Sequence, residues 1–100
     1  MNRYDRQERV HQIGVVGQQK ISHATIMIVG VGALGSYTAE QLVRAGVKRL
    51  VLIDPDTVDV TNLQRQSLFT EADANQQRLK VEAAKEHLHE INSACQITAI

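Results

Sequence analysis

One hundred residues allow one small domain at most, and 43% apolar with 22% charged side chains is an ordinary globular composition. Eleven basic and eleven acidic side chains cancel, so no global field draws the chain to nucleic acid or to an anionic membrane, and neither is expected as a partner. No apolar run approaches the roughly eighteen residues of a membrane span, the polar start is no signal peptide, and the lone Cys95 can form neither an internal disulfide nor a Cys-x-x-Cys zinc pair. The chain reads as cytoplasmic.

Residues 1–23 are polar with scattered apolar positions. Tyr4, Val10 and Ile13 line one weak helical face, Gly14 and Gly17 are expected to break it, and residues 18–22 read as a short helical turn. Thr25-Ile26-Met27-Ile28-Val29 is a continuous apolar run rich in β-branched residues and bounded by Gly30. It fits a parallel strand buried on both faces, with Met27 as core filling. Leu34, Thr38, Leu42 and Ala45 then recur at helical spacing, and Gly46 sits where a C-terminal cap belongs. Leu50-Val51-Leu52-Ile53 is a second buried strand. A polar loop leads to a helix predicted over 75–91, with Val81, Ala84, Leu88 and Ile91 as its apolar seam. Residues 96–100 read as a third strand.

The order strand, helix, strand, helix, strand predicts an α/β fold. It is a Rossmann-like half of a doubly wound parallel sheet, preceded by an N-terminal helical arm. Three parallel strands need cover on both faces and leave two unpaired edges. The pattern stops at Ile100 with no closing element, which reads as a portion of a larger domain or one completed by dimerisation.

Gly30-Val31-Gly32-Ala33-Leu34-Gly35 is a Gly-x-Gly-x-x-Gly loop between a strand and a helix, the context this motif requires. Gly30 permits the tight turn, Gly32 lets a phosphate approach the backbone, and Gly35 lets the helix pack on the strand. The amides that open the helix, from Ala33 onward, then point at the anion. The bland alternative is a tight turn with no ligand. Asp54 ends the second strand, where an acid holds the ribose hydroxyls of an adenine nucleotide; a cap in the turn Asp54-Pro55-Asp56 is the competing reading. Asp56 and Asp59 are open between the site and loop capping.

Asn62-Leu63-Gln64-Arg65-Gln66 goes beyond a simple dinucleotide domain. One helical turn there lets Asn62 and Arg65 face the same phosphates, with the planar Arg65 fork neutralising one of them. Against this stands a solvated turn. Lys80 is a second cation within possible reach, or a surface charge. At the N-terminus, Arg3-Tyr4-Asp5-Arg6-Gln7 is either a flexible arm reaching a neighbouring subunit or a solubilising start. His11, His23, His87 and His89 make no metal site, and Cys95 has no basic neighbour to activate it, so it reads as structural.

Taken in order, Arg3-Tyr4-Asp5-Arg6-Gln7, Gly17-Gln18-Gln19-Lys20-Ile21, the glycine loop, Asp54-Pro55-Asp56-Thr57-Val58, Asn62 to Gln66 and Lys80-Val81-Glu82 resemble the ThiF/MoeB/HesA family. These are the adenylyltransferases that activate ubiquitin-like sulfur carriers in molybdopterin and thiamine biosynthesis, and they are related to the ubiquitin-activating enzymes. The resemblance covers almost the whole chain and implies that residues 1–100 are the N-terminal nucleotide-binding portion of such a domain. It implies ATP with Mg2+, a ubiquitin-like sulfur-carrier protein as substrate, and a homodimer. Gly30, Gly32, Ala33, Gly35, Asp54 and Asp56 would line the nucleotide, and Asn62, Arg65 and Lys80 would contact the triphosphate. Arg6 resembles an arginine that crosses the dimer into the partner's active site. The family's magnesium-binding aspartate and its zinc cysteines fall in chain beyond residue 100, and Cys95 inherits no role. The stretch between Gln66 and Lys80 is slightly longer than the commonest family version. The competing readings are an NAD- or FAD-binding Rossmann module and a non-catalytic nucleotide-binding or dimerisation fragment.

Overall fold

Three parallel strands in the order β1-β2-β3 form the sheet: β1 (Thr25–Val29), β2 (Arg49–Ile53) and β3 (Gln96–Ala99). The computed structural model describes residues 2–100. Thr25 pairs with Arg49 and Arg49 with Gln96, so the strands begin in register and end together at the glycine loop, Asp54 and Ile100. Before the sheet lie α1 (Asp5–Glu8) and α2 (Gly14–Ser22); α3 (Ala33–Ala45) connects β1 to β2. A 3-10 turn (Val60–Asn62), α4 (Glu71–Asn75) and α5 (Lys80–Ile91) connect β2 to β3. This is the expected α/β half-sheet with a helical arm.

The core lies on one face of the sheet. Ile26, Ile28, Leu50, Leu52, Ile97 and Ala99 alternate inward, as the two-residue period of a strand requires, and meet Ala39 and Val43 of α3 and Val81, Ala84 and Leu88 of α5. Because both helices cover the same face, the other face is open among the described residues. Met27 is 61% exposed and Val29 76%, so β1 is buried on one side only and Met27 is not core filling. A continuous apolar run signals that both faces avoid water, but not where each finds its cover.

Two helix expectations change. Gly14 interrupts the N-terminal helical face as expected, at φ +61° between α1 and α2, but Gly17 does not: it lies inside α2 with the Ile13 side chain 3.2 Å from where a Cβ would stand. A small residue is what that contact admits. The predicted helix over 75–91 is two helices. Thr70 and Asp73 form a capping box on α4, Gln77 turns to φ 48°, and Leu79 is extended before α5 begins at Lys80. The polar stretch between the apolar seams carries a break that the seam itself does not reveal.

The N-terminal arm is docked. Tyr4 packs on Gly46, the left-handed C-cap of α3 (φ 97°), and its hydroxyl accepts a hydrogen bond from Asn92 Nδ2 at 3.0 Å. Gln7 Nε2 donates to the Ala45 carbonyl at 2.8 Å and to Gln18 Oε1, while buried Gln18 also donates to Ala45 O. These glutamines satisfy the carbonyl that the end of a helix leaves unpaired. No helix is long and apolar enough to cross a membrane among the described residues.

Candidate nucleotide site

The glycine loop sits at the C-terminal ends of the strands, where open α/β sheets bind ligands. Gly30 adopts φ +96°, and its amide donates to Ile53 O at 2.7 Å, so the loop leaves β1 while still tied to β2. At Gly35 a Cβ would stand 2.0 Å from the Gly30 carbonyl oxygen; only glycine lets α3 start this close to the strand. At Gly32 a Cβ would meet nothing within 4 Å. Gly32 is the N-cap of α3 and no side chain caps that turn, so its amides face open space as an anion site requires. A cleft of about 470 Å³ lies here, lined by Val29, Gly30, Gly32, Ala33, Gly35 and Thr38 among others.

Asp54 is buried at the end of β2. Its Oδ2 accepts from the Val31 amide at 2.7 Å and its Oδ1 from the Asp56 amide at 2.8 Å. The carboxylate thus braces the glycine loop against the turn that follows β2, and the cap anticipated in Asp54-Pro55-Asp56 is real. An ionised carboxylate has about four acceptor directions, so two remain for other donors. Asp56 is exposed, and its carbonyl accepts from the Lys80 amide at 2.9 Å. A short chain of hydrogen bonds therefore runs from Val31 of the glycine loop through Asp54 and the Asp56 backbone to the Lys80 backbone amide.

Lys80 is only 7% exposed, although it opens a helix on the polar side of the sequence pattern. Its ammonium has no hydrogen-bond or ion-pair partner among the described residues, whereas Arg9, Arg44 and Arg78 all meet carboxylates. The stem is packed while the ammonium itself is not sealed from solvent, which leaves a positive charge without a carboxylate partner for an anionic ligand to meet.

Asn62 and Arg65 lie in one helical turn as expected, but both side chains hold their own loop. Asn62 Oδ1 accepts from the Asp59 amide at 2.8 Å, closing a capping box in which Asp59 takes the Thr61 amide and hydroxyl. Those Thr61 contacts hold the Asp59 carboxyl below its ordinary range, so Asp59 is a loop cap. Exposed Arg65 donates to Thr61 O at 3.0 Å. The neighbouring Gln66 is buried, with Oε1 lacking a partner. Arg6 is exposed on α1, which is docked at the Ala45 end of α3. A thirteen-residue helix is roughly 20 Å long, so Arg6 is remote from the chain's own glycine loop.

The sequence reading missed a buried acid. Asp73 takes the Thr70 amide, Arg78 and His87, and Arg78 also pairs with Glu86. The spacing Thr70-x-x-Asp73 was its one visible signal. Cys95 is buried, which pushes its thiol up and leaves it inert, in keeping with a structural role. Among the described residues no three His, Cys, Asp or Glu side chains gather into a metal site, so these residues do not by themselves make a magnesium cradle.

Three parallel strands with helical crossovers, a glycine loop after β1 and an acid at the end of β2 define an α/β domain of Rossmann-like fold. The ThiF family model matches residues 4–100, and the chain belongs to that family. It is 46% identical over 98% of its length to the sulfur carrier protein ThiS adenylyltransferase of Bacillus subtilis, covering 29% of that protein. It is 41% identical over its full length to the molybdopterin-synthase adenylyltransferase of Salmonella typhimurium, covering 39%. A crystal structure of E. coli MccB with ATP superposes with a TM-score of 0.89 at 34% identity, covering 100% of this chain and 31% of that one. The chain thus spans about a third of the length of these relatives.

Proposed function

We propose that this chain supplies the ATP-gripping portion of an adenylyltransferase that acts on a small ubiquitin-like sulfur-carrier protein. The observation that carries the reading is Lys80, a largely buried side chain with no carboxylate partner among the described residues, whose backbone amide is tied through Asp56 and Asp54 to an uncapped glycine loop. Adenylyltransferase relatives at 41–46% identity supply the reaction class. Gly30, Gly32, Ala33 and Gly35 receive the phosphates, and Asp54 and Asp56 face the ribose. Asn62 and Arg65 turn from their loop contacts toward the triphosphate, because both now spend only local hydrogen bonds.

In the step itself, a carboxylate oxygen at the carrier's C-terminal glycine attacks the α-phosphorus. The bond from that phosphorus to the bridging oxygen breaks, giving an acyl-adenylate and pyrophosphate. Negative charge grows on the leaving group, where Lys80 and Arg65 stabilise it. Magnesium, when bound, shields phosphate oxygens. Arg6 lies at the far end of α3 from its own loop, so it serves the site of a second copy in a homodimer. An arginine given in trans to phosphoryl chemistry is worth roughly a thousandfold or more.

The test is exchange of labelled pyrophosphate into ATP by the full-length protein with a ubiquitin-like carrier ending in a glycine carboxylate. Carrier-dependent exchange that is lost in Asp54→Ala and Arg65→Ala is the expected result. Undiminished exchange in both variants would remove these residues from the site.

A further inference from the structure

We infer that Asp73 is a positioning residue for Lys80, acting through Arg78 and the short strand-like segment that delivers the lysine to the site. This rests on the nucleotide-site reading proposed for Lys80.

Asp73 is 2% exposed and lies in the first turn of α4, ahead of the connector that leads to α5. Its Oδ2 accepts from the Thr70 amide at 2.9 Å and from His87 Nε2 at 2.8 Å, and its Oδ1 from Arg78 at 3.1 Å. Its backbone carbonyl also takes the Arg78 amide at 3.1 Å. One carboxylate therefore gathers the start of α4, the connector and the second turn of α5. A buried carboxylate is kept only when its lone pairs are filled in this way.

The connector is what the arrangement controls. Arg78 is gripped at side chain and amide by Asp73, and its carbonyl accepts from the Val58 amide at 2.8 Å. Leu79 bridges Thr57 in antiparallel fashion, and the Lys80 amide donates to Asp56 O at 2.9 Å. Glu86 holds the second Arg78 nitrogen at 2.8 Å. The backbone of Lys80 is thus fixed on one side to the Asp54–Asp56 turn and on the other to Asp73. A lysine has four rotatable bonds and a strongly hydrated head. Where that head stands, on a stem packed to 7% exposure, depends on the backbone that places it. Capping α4 alone would not need Arg78 or His87, so the extra donors point to the connector rather than to the helix end.

The experiment titrates the full-length protein with magnesium ATP and with AMP. Lys80→Ala provides the reference, and Asp73→Asn and Arg78→Met are each made alone and in the Lys80→Ala background. The expected result is ATP affinity weakened on the order of tenfold by Asp73→Asn and by Arg78→Met, a coupling usual within one hydrogen-bond network. AMP affinity stays unchanged, and neither variant adds a loss once Lys80 is gone. Equal losses for ATP and AMP would reduce Asp73 to a structural brace and overturn the inference. So would losses that add to that of Lys80→Ala, or an ATP affinity that neither variant changes while Lys80→Ala does. An unchanged ATP affinity in Lys80→Ala would instead overturn the placement of Lys80 in the site. Should Asp73→Asn not fold, Arg78→Met carries the same comparison, because Arg78 is partly exposed and the Asp73–His87 pair survives its loss.

Discussion

Replacing Gly35 and Gly32 separately by alanine divides the glycine loop into its packing part and its binding part. In Gly35→Ala the new Cβ starts 2.0 Å from the Gly30 carbonyl oxygen and 3.0 Å from its carbon. Those atoms are backbone, pinned by the Gly30 amide to Ile53 O at 2.7 Å, so no side chain can swing away to make room. Either α3 lifts from β1 or the loop distorts, and overpacking of this kind costs about 1–3 kcal/mol or more. Alanine returns up to about 1 kcal/mol of helix propensity over glycine, which leaves a net loss of about 1–2 kcal/mol. In Gly32→Ala the new Cβ meets nothing within 4 Å, and φ there is −93°. Stability should hold within about 0.5 kcal/mol, while the methyl group stands where a phosphate approaches. Urea unfolding reads the first effect as a lower midpoint at unchanged slope, and ATP titration reads the second. A large loss of stability in Gly32→Ala, or full ATP affinity in that variant, would refute the division.

Gly46→Ala forces alanine into the left-handed region and places its Cβ 2.5 Å from the Tyr4 ring. A loss of about 1–2 kcal/mol is expected from the backbone alone, and Tyr4 should leave its seat. Limited trypsin digestion at Arg3 and Arg6 checks this, and an unchanged cleavage rate would contradict it. Burial alone would raise the Asp73 carboxyl, but the His87 and Thr70 hydrogen bonds outweigh it and hold the group below its usual range. A depressed folded-state pKa contributes stability above the unfolded value of about 3.9, and that contribution is lost as pH falls through the folded value. Asp73→Asn should therefore lose about 1–3 kcal/mol at neutral pH and much less near pH 3. Urea midpoints at both pH values test this, and a gap independent of pH would refute it.

Strand positions, α3 and its cap were legible because each rests on a local signal: β-branched runs before glycine, a helical period, and Gly46 where a left-handed residue belongs. The glycine loop was legible for the same reason, since Gly30 and Gly35 answer short-range geometry. What depended on partners far along the chain was not. Met27 reads as core in a continuous run, yet which sheet face is covered follows from where α3 and α5 pack. Tyr4 and Gln7 look like a solubilising start until Gly46 and the Ala45 carbonyl come beside them. The break at residues 76–79 depends on Asp73 gripping Arg78 and on Thr57 bridging Leu79. Lys80 was readable as a candidate, but its burial follows from that break. Asn62 and Arg65 matched a phosphate-facing pattern, and the structure adds the local hydrogen bonds that a ligand would have to displace.

The proposed site grips ATP through Lys80 and the glycine loop rather than a nicotinamide dinucleotide through the loop and Asp54 alone. Equilibrium titration of the protein with magnesium ATP and with NAD, repeated for Lys80→Ala, tests it most directly. A clear preference for ATP that falls sharply when Lys80 is lost is the expected result. NAD bound as tightly as ATP, with Lys80→Ala indifferent to both, would contradict it.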